Sequence, residues 1–219
     1  METTEIFDEK QSLKLINDMI NKTKQSFHET GFGPIMWGSV IVICSLFSLV
    51  QEHYNILRSY DIWLLTLVAL VPQIIYNVYS RKYKQTKSYN DIAMDYTWFV
   101  FGVSMFILAF AINGIEHSIR SIIKSIPNRP NNISIKLFFS QTIPLYLMVY
   151  AIPTIITGGI MKFKPMLIGG ILCWVFAITT CYTNIETDLL LMALAALFAW
   201  FIPGIILNIR YRKNKKANV

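Results

Sequence analysis

The stretch Leu189–Ile209 reads LLLMALAALFAWFIPGIILNI and contains no charged residue. About 20 consecutive apolar residues form a helix long enough to cross the hydrocarbon core of a bilayer, so this stretch predicts a transmembrane helix. Five earlier segments are similarly apolar, namely Pro34–Val50, Ile62–Tyr79, Tyr96–Ile115, Leu137–Ile156 and Met166–Tyr182. We therefore expect an all-α, polytopic membrane protein with six transmembrane helices.

The composition indicates the same class of protein. Hydrophobic residues make up 54% of the 219 residues and charged residues only 15%. A soluble domain contains about 25% charged residues. The composition therefore excludes a soluble domain and a disordered chain, and it predicts the lipid bilayer as a partner.

Lysine and arginine are distributed unevenly between the two sides of the predicted helices. If the amino-terminal segment is cytoplasmic, 15 of the 20 Lys and Arg residues lie on the cytoplasmic side, as the positive-inside rule predicts. We expect a cytoplasmic (inner) membrane protein with both termini in the cytoplasm. Its parts are a cytoplasmic segment 1–33, a transmembrane domain 34–209 and a basic tail 210–219. Because topology accounts for the net charge of +7, no nucleic-acid partner is expected.

A short motif recurs in the second, fourth and sixth predicted helices. It consists of a β-branched residue, proline, any residue and Ile-Ile, followed by basic residues. The three copies begin at Val71-Pro72, Ile152-Pro153 and Ile202-Pro203. This recurrence predicts three pseudo-repeated helical hairpins. Proline removes a backbone hydrogen bond and bends a helix, so each bend is either a packing feature or a hinge for gating.

Small residues form a stripe on the fifth predicted helix and a similar face on the sixth. The stripe consists of Gly169, Cys173, Ala177 and Cys181, and the facing residues are Ala195 and Ala199. Small residues let membrane helices approach closely, so we expect helices five and six to pack together. Cysteines in such positions behave as small apolar residues rather than as reactive thiols.

Two further segments have the periodicity of an amphipathic helix. Before the first predicted span the apolar face consists of Leu13, Ile16, Met19, Ile20, Thr23 and Phe27. This cytoplasmic helix is expected to lie at the membrane surface, to pack on the bundle, or to bind a partner protein or a second copy. A second face, consisting of Ile119, Ile122, Ile123 and Ile126, predicts a short helix resting on the outer leaflet.

The predicted spans lack the side chains that catalysis or ion coupling requires. No Asp, Glu, Lys, Arg or His lies in their central parts, whereas proton relays and ion-coupled pumps need at least one such residue. No nucleotide-binding, zinc-binding or serine-hydrolase motif is present. We therefore expect no enzymatic activity and no cofactor.

Polar side chains gather at the outer ends of the predicted helices. Glu52, His53, Glu116 and His117, together with Glu186 and Asp188, offer carboxylate and imidazole groups. If the hairpins bring these groups together, they suit a divalent metal or a response to pH. The alternative is that polar residues lie there because the helices meet water at these positions.

Uncharged polar side chains also occur within the predicted spans. They are Gln73, Asn77, Asn113, Gln141, Thr142, Thr154, Thr157 and Asn208. Their two possible uses are hydrogen bonds between helices and the lining of a cavity for a small polar solute. In the second case Pro72, Pro153 and Pro203 are the candidate hinges, and Gln73, Asn77 and Gln141 line the candidate pathway.

Two resemblances accompany these patterns. The run Pro72-Gln73-Ile74-Ile75-Tyr76-Asn77, followed by basic residues, resembles the Pro-Gln motif of PQ-loop transporters. That resemblance implies a proline hinge for alternating access. Over its full length the chain resembles uncharacterised multi-pass inner-membrane proteins of Bacteroidetes. The residues that carry this second resemblance are Ser12–Asn17, Trp37–Val40, Lys162–Pro165, Gly169–Ile171 and Ile202–Gly204, and it implies a location and a length but no activity.

The sequence thus predicts a membrane protein without enzymatic activity, an accessory or sensing component that acts through helix packing with itself or a partner. The alternative is a small-solute transporter with proline-hinged helices.

Overall fold

A computed structural model describes residues 30–54, 56, 60–83, 89–125 and 142–217. These residues form six helices, and no strand occurs among them, so the prediction of an all-α fold is confirmed. The first five helices are α1 (Phe32–Tyr54), α2 (Leu64–Tyr83), α3 (Tyr89–Ser125), α4 (Ile143–Ile160) and α5 (Lys164–Thr179). The sixth helix, α6, consists of the α-helical segments Ile185–Ala196 and Ile202–Ala217, joined by a π-helical segment at Leu197–Phe201.

The prediction of six membrane spans is wrong, because among the six described helices only α1, α3, α4 and α6 are long and apolar enough to cross a bilayer. Helix α5 has 16 residues. At 1.5 Å per residue it is about 24 Å long, which is shorter than a hydrocarbon core of about 30 Å.

Helix α2 is short for a different reason. Its apolar part ends at Tyr79. The Cys44 Sγ lies 3.5 Å from the Ile62 carbonyl oxygen, so the residues just before α2 lie beside the middle of α1. Helix α2 therefore begins level with the middle of α1 rather than with its end.

The boundaries of two other predicted helices also change. Helix α3 runs without interruption from Tyr89 to Ser125, so the separate surface helix predicted from Ile119 onward is the continuation of α3. Helix α4 begins at Ile143, with Pro144 in its first turn, where proline is well tolerated. The predicted amino-terminal amphipathic helix lies outside the described residues.

Helices α1 and α6 pack antiparallel along the length of α1. A Cβ atom added to Gly38 would lie 2.7 Å from the Phe201 backbone nitrogen. Gly31 has a φ of +70°, and a Cβ there would lie 2.3 Å from the Gly204 carbonyl oxygen. Both the left-handed backbone and the close contact therefore require glycine at position 31.

Helices α4 and α5 form the second close pair. A Cβ added to Gly158 would lie 2.9 Å from the Leu167 backbone nitrogen, and one added to Gly170 would lie 2.5 Å from Ile155 Cγ1. These two helix pairs thus cross the boundaries of the predicted hairpins. Close packing is therefore not confined to the predicted hairpins, because these glycines join α1 to α6 and α4 to α5.

The predicted contact between the fifth and sixth helices is present. A Cβ added to Gly169 would lie 2.5 Å from Ala199 Cα. Cys173 and Ala177 are buried, whereas Cys181, at the end of the predicted stripe, is exposed. The core of the bundle therefore lies among α1, α4, α5 and α6, and its largest fully buried side chains include Trp200, Leu147, Met166 and Met192.

Candidate functional site

A buried hydrogen-bonded pair lies at the centre of the bundle. The indole Nε1 of Trp200 on α6 donates to Thr154 Oγ1 on α4 at 2.8 Å. The Thr154 hydroxyl in turn donates to the Tyr150 carbonyl oxygen at 2.6 Å. Thr154 is fully buried and Trp200 is 2% exposed. The pair therefore satisfies two polar groups at a place that water does not reach.

Three more aromatic rings surround Trp200. Its ring centroid lies 4.9 Å from that of Tyr150 and 6.0 Å from those of Trp98 and Phe101. These distances are typical of favourable tilted and edge-to-face pairs. Trp98 and Phe101 belong to α3, so these rings attach α3 to the rest of the bundle. We call Trp98, Phe101, Tyr150, Thr154 and Trp200 the aromatic centre.

A proline lies beside the aromatic centre on each of α4 and α6, and α6 also contains a π-helical turn there. The Ile202 backbone N–H donates to the Leu197 carbonyl, which gives one π-helical turn immediately before Pro203. Pro203, which lacks an N–H group, and Pro153, next to Thr154, are both fully buried. The structure thus brings two of the predicted hinge prolines to opposite sides of one packed contact.

The third hinge proline and the candidate pathway amides lie elsewhere. Pro72 is exposed on α2. Gln73 Nε2 donates to Asn77 Oδ1 at 3.0 Å on the same helix, and Gln73 Oε1 is buried beside Gly33 of α1. Gln141 lies outside the described residues. Within the described chain, Gln73 and Asn77 are therefore not part of the aromatic centre.

One end of the bundle joins four chain segments. Asn208 Nδ2 on α6 donates to the Thr30 carbonyl at 2.7 Å, and the Thr30 hydroxyl forms a hydrogen bond with the Tyr76 hydroxyl on α2. Arg210 lies over the ring of Phe163, 5.1 Å from its centroid, which is a cation–π geometry. The start of α1, the end of α2, the α4–α5 turn and the end of α6 therefore meet at one end, which we call the basic end.

The polar groups predicted to meet at the opposite end form separate pairs. His53 Nδ1 on α1 lies 3.5 Å from Glu186 Oε1 on α6. Glu116, in contrast, accepts a hydrogen bond of 2.7 Å from Arg120 Nε within α3. Among the described residues no three His, Cys, Asp or Glu side chains are placed to hold a metal ion. The structure therefore does not bring Glu52, His53, Glu116 and His117 together as a metal site.

Asp188 in the first turns of α6 is fully buried. Its Oδ1 accepts a hydrogen bond from the Thr183 hydroxyl, and its backbone N–H donates to the Asn184 carbonyl at 2.9 Å. The amino-terminal end of a helix favours negative charge through its dipole. The position at the start of α6 therefore favours this carboxylate, while its Oδ2 is buried with no hydrogen-bond partner among the described residues.

No protein-family model, curated protein or solved structure matches this chain.

Proposed function

We propose that the chain is an integral membrane protein without enzymatic activity, an accessory or sensing component that acts through helix packing with itself or with a partner. The observation that carries this proposal is the contrast between a tightly packed centre and a nearly unburied α3. In the most apolar stretch of α3 only 6% of residues are buried, against 50% in α4 and α6.

The packing of the aromatic centre favours a protein that acts through helix packing over one that lets a solute pass. Trp200, Leu147 and Met166 are among the largest fully buried side chains of the bundle, and the aromatic centre lies between α3, α4 and α6. Protein interiors are close-packed, so a core of such side chains leaves little space for water or a polar solute. The amides expected to line a pathway, Gln73 and Asn77, bond to each other on α2.

We infer the orientation from the basic end. Arg210 and Phe163 mark this end in the structure, and the neighbouring Lys162, Lys164 and Arg212 are basic as well. Positive charge near membrane helices favours the cytoplasmic side. We therefore place the basic end, and with it the start of α1 and the end of α6, in the cytoplasm.

Transport by proline-hinged helices is the second candidate function. The π-helical turn before Pro203 favours it, because such turns are frequent at functional sites. The buried Thr157 hydroxyl, which has no hydrogen-bond partner among the described residues, points the same way.

Thiol labelling in membranes separates the two functions. The starting protein has Cys44, Cys173 and Cys181 replaced by alanine, and single cysteines are placed at Ala151 and Thr157, which are 0% and 1% exposed. A small polar thiol reagent is expected to leave both sites unlabelled.

The control cysteines replace exposed residues in the turns at opposite ends, Lys162 and Tyr182. An impermeant reagent is expected to reach Tyr182→Cys in intact cells and Lys162→Cys only after the membrane is opened. Labelling of Ala151→Cys or Thr157→Cys at the rate of these controls would show an aqueous path and favour transport.

A further inference from the structure

The outward face of α3 carries an apolar stripe with regular spacing. We call its six residues the outer stripe: Ile92, Tyr96, Phe99, Val103, Phe106 and Phe110. Their spacing alternates between four and three residues, which is the heptad pattern of helices that pack lengthwise on one another. These side chains are 40% to 75% exposed.

The opposite face of α3 has the same spacing and packs against the bundle. Met94, Trp98, Phe101, Met105 and Ile112 follow the same alternation of four and three residues, apart from one omitted position. Met94 and Ile112 are buried, and the other three pack against the core of the bundle. In α3, therefore, one heptad stripe already packs against the bundle. The outer stripe repeats the pattern with aromatic side chains.

Two glycines of α3 have no packing role within the described chain. A Cβ added to Gly102 or to Gly114 would meet nothing within 4 Å, whereas one added to Gly38 would meet a neighbouring helix backbone. Glycine lowers helix stability by about 1 kcal/mol relative to alanine. Gly102 lies three residues after Phe99 and four before Phe106, on the flank of the outer stripe. A small residue there permits another helix to approach closely.

Asn113 occupies the next heptad position after Phe110. It is exposed, and its Nδ2 donates to the Ala109 carbonyl of its own helix at 2.8 Å. An asparagine among apolar heptad positions selects the register and number of helices by bonding across the interface. A surface that faces only lipid has no need for such a residue.

We propose that the outer stripe is the interface with a second copy of this chain, in a parallel α3–α3 pair. The proposal deepens the proposed function, on which it rests, by naming the surface and the partner. Two copies inserted in the same orientation are related by a two-fold axis along the membrane normal, which makes their α3 helices parallel. Identical residues then face each other, so Val103 meets Val103 and Asn113 meets Asn113 of the second copy.

The size of the outer stripe fits this role. With aromatic side chains burying about 150–250 Å² each, its four rings and two aliphatic residues offer on the order of 600 Å² per copy. A specific interface at the lower limit buries about 600 Å² on each partner.

Disulfide cross-linking in membranes tests the proposal on the full chain lacking its three native cysteines. Single cysteines at Phe99 and Val103 are expected to form cross-linked dimers, because identical positions of a parallel pair bring the Cα atoms within disulfide range. The matched control is Ala111→Cys. Ala111 is exposed on the same helix but does not lie three or four residues from any outer-stripe residue, so it is expected to stay uncross-linked.

Substitutions that leave the single chain intact give a second readout, namely dimer association measured by energy transfer between labelled copies in lipid vesicles. Gly102→Ile is expected to abolish the transfer signal, and Asn113→Leu to weaken association about threefold to tenfold. Ala111→Ile places the same side chain on another face and is expected to have no effect.

Each result decides the proposal. Cross-linking that is equal at Phe99→Cys and Ala111→Cys, or absent at both with no energy transfer, would overturn it and leave lipid or another segment of the same chain as the cover of the outer stripe. The proposed function fails separately, if Thr157→Cys is labelled from water. A protein with protected Thr157→Cys and no cross-link at α3 keeps the proposed function and loses only this inference.

Discussion

Replacing Thr154 by valine tests the hydrogen bond at the aromatic centre. Valine has nearly the same shape as threonine but cannot accept the hydrogen bond that Trp200 Nε1 donates at 2.8 Å. Trp200 is 2% exposed, so water cannot replace the lost acceptor. An unsatisfied buried donor costs about 1–3 kcal/mol. We expect the free energy of unfolding of Thr154→Val to fall by this amount.

The assay is reversible unfolding in mixed micelles, followed by circular dichroism so that the signal does not depend on tryptophan. Thr179→Val is the matched control, because the Thr179 hydroxyl makes a similar bond of 2.8 Å to the Phe176 carbonyl but is exposed. Its effect is expected to stay within about 0.5 kcal/mol.

A double-mutant cycle isolates the bond from the packing. Once Trp200 is replaced by phenylalanine, the donor is gone, and Thr154→Val should become less costly by at least about 0.5 kcal/mol. The reasoning is refuted if Thr154→Val costs no more than Thr179→Val, or if the two substitutions at the centre are additive.

Two further predictions concern helix packing and surface charge. Gly169→Ala is expected to lower the free energy of unfolding by about 1–2 kcal/mol, since its Cβ would lie 2.5 Å from Ala199 Cα and overpacking outweighs the gain in helix propensity. The control, Gly102→Ala, should be neutral or slightly stabilising at a dilution that keeps the chain monomeric. Equal effects of the two substitutions would contradict the α5–α6 contact. His53→Ala is expected to cost less than about 1 kcal/mol in the same unfolding assay, because its contact with Glu186 is half-exposed. A larger loss that persists at high salt would show that the pair is part of a buried network.

Long apolar segments made the helical class predictable. All six predicted segments overlap a helix of the structure, because apolar composition is a local property that can be read along the chain. The number of spans was not predictable in the same way. Whether a segment crosses the bilayer depends on where its helix begins and ends, and α2 begins beside Cys44, in the middle of α1.

The candidate site was predictable only on one side of each contact. Thr154 and Asn208 were identified as polar residues that need partners, but Trp200 lies 46 residues from Thr154 and Thr30 lies 178 residues from Asn208. No local pattern relates residues at such separations. For the same reason the sequence did not show that the three predicted hinge prolines lie in different places. Pro153 and Pro203 lie next to one buried contact, whereas Pro72 is exposed on α2.

The sequence by itself determined that the chain is helical and apolar enough for a multi-pass membrane protein, because hydropathy and periodicity are carried by individual residues and short segments. The tertiary structure alone decided that α1 pairs with α6, that α4 pairs with α5 and that α3 is left with one face uncovered. Which helices pair depends on what lies beside each glycine. A Cβ added to Gly38 would lie 2.7 Å from the backbone of a distant segment, whereas one added to Gly102 would meet nothing within 4 Å. Close packing between distant segments depends on how two surfaces fit together, and a short segment of sequence carries information about only one of them.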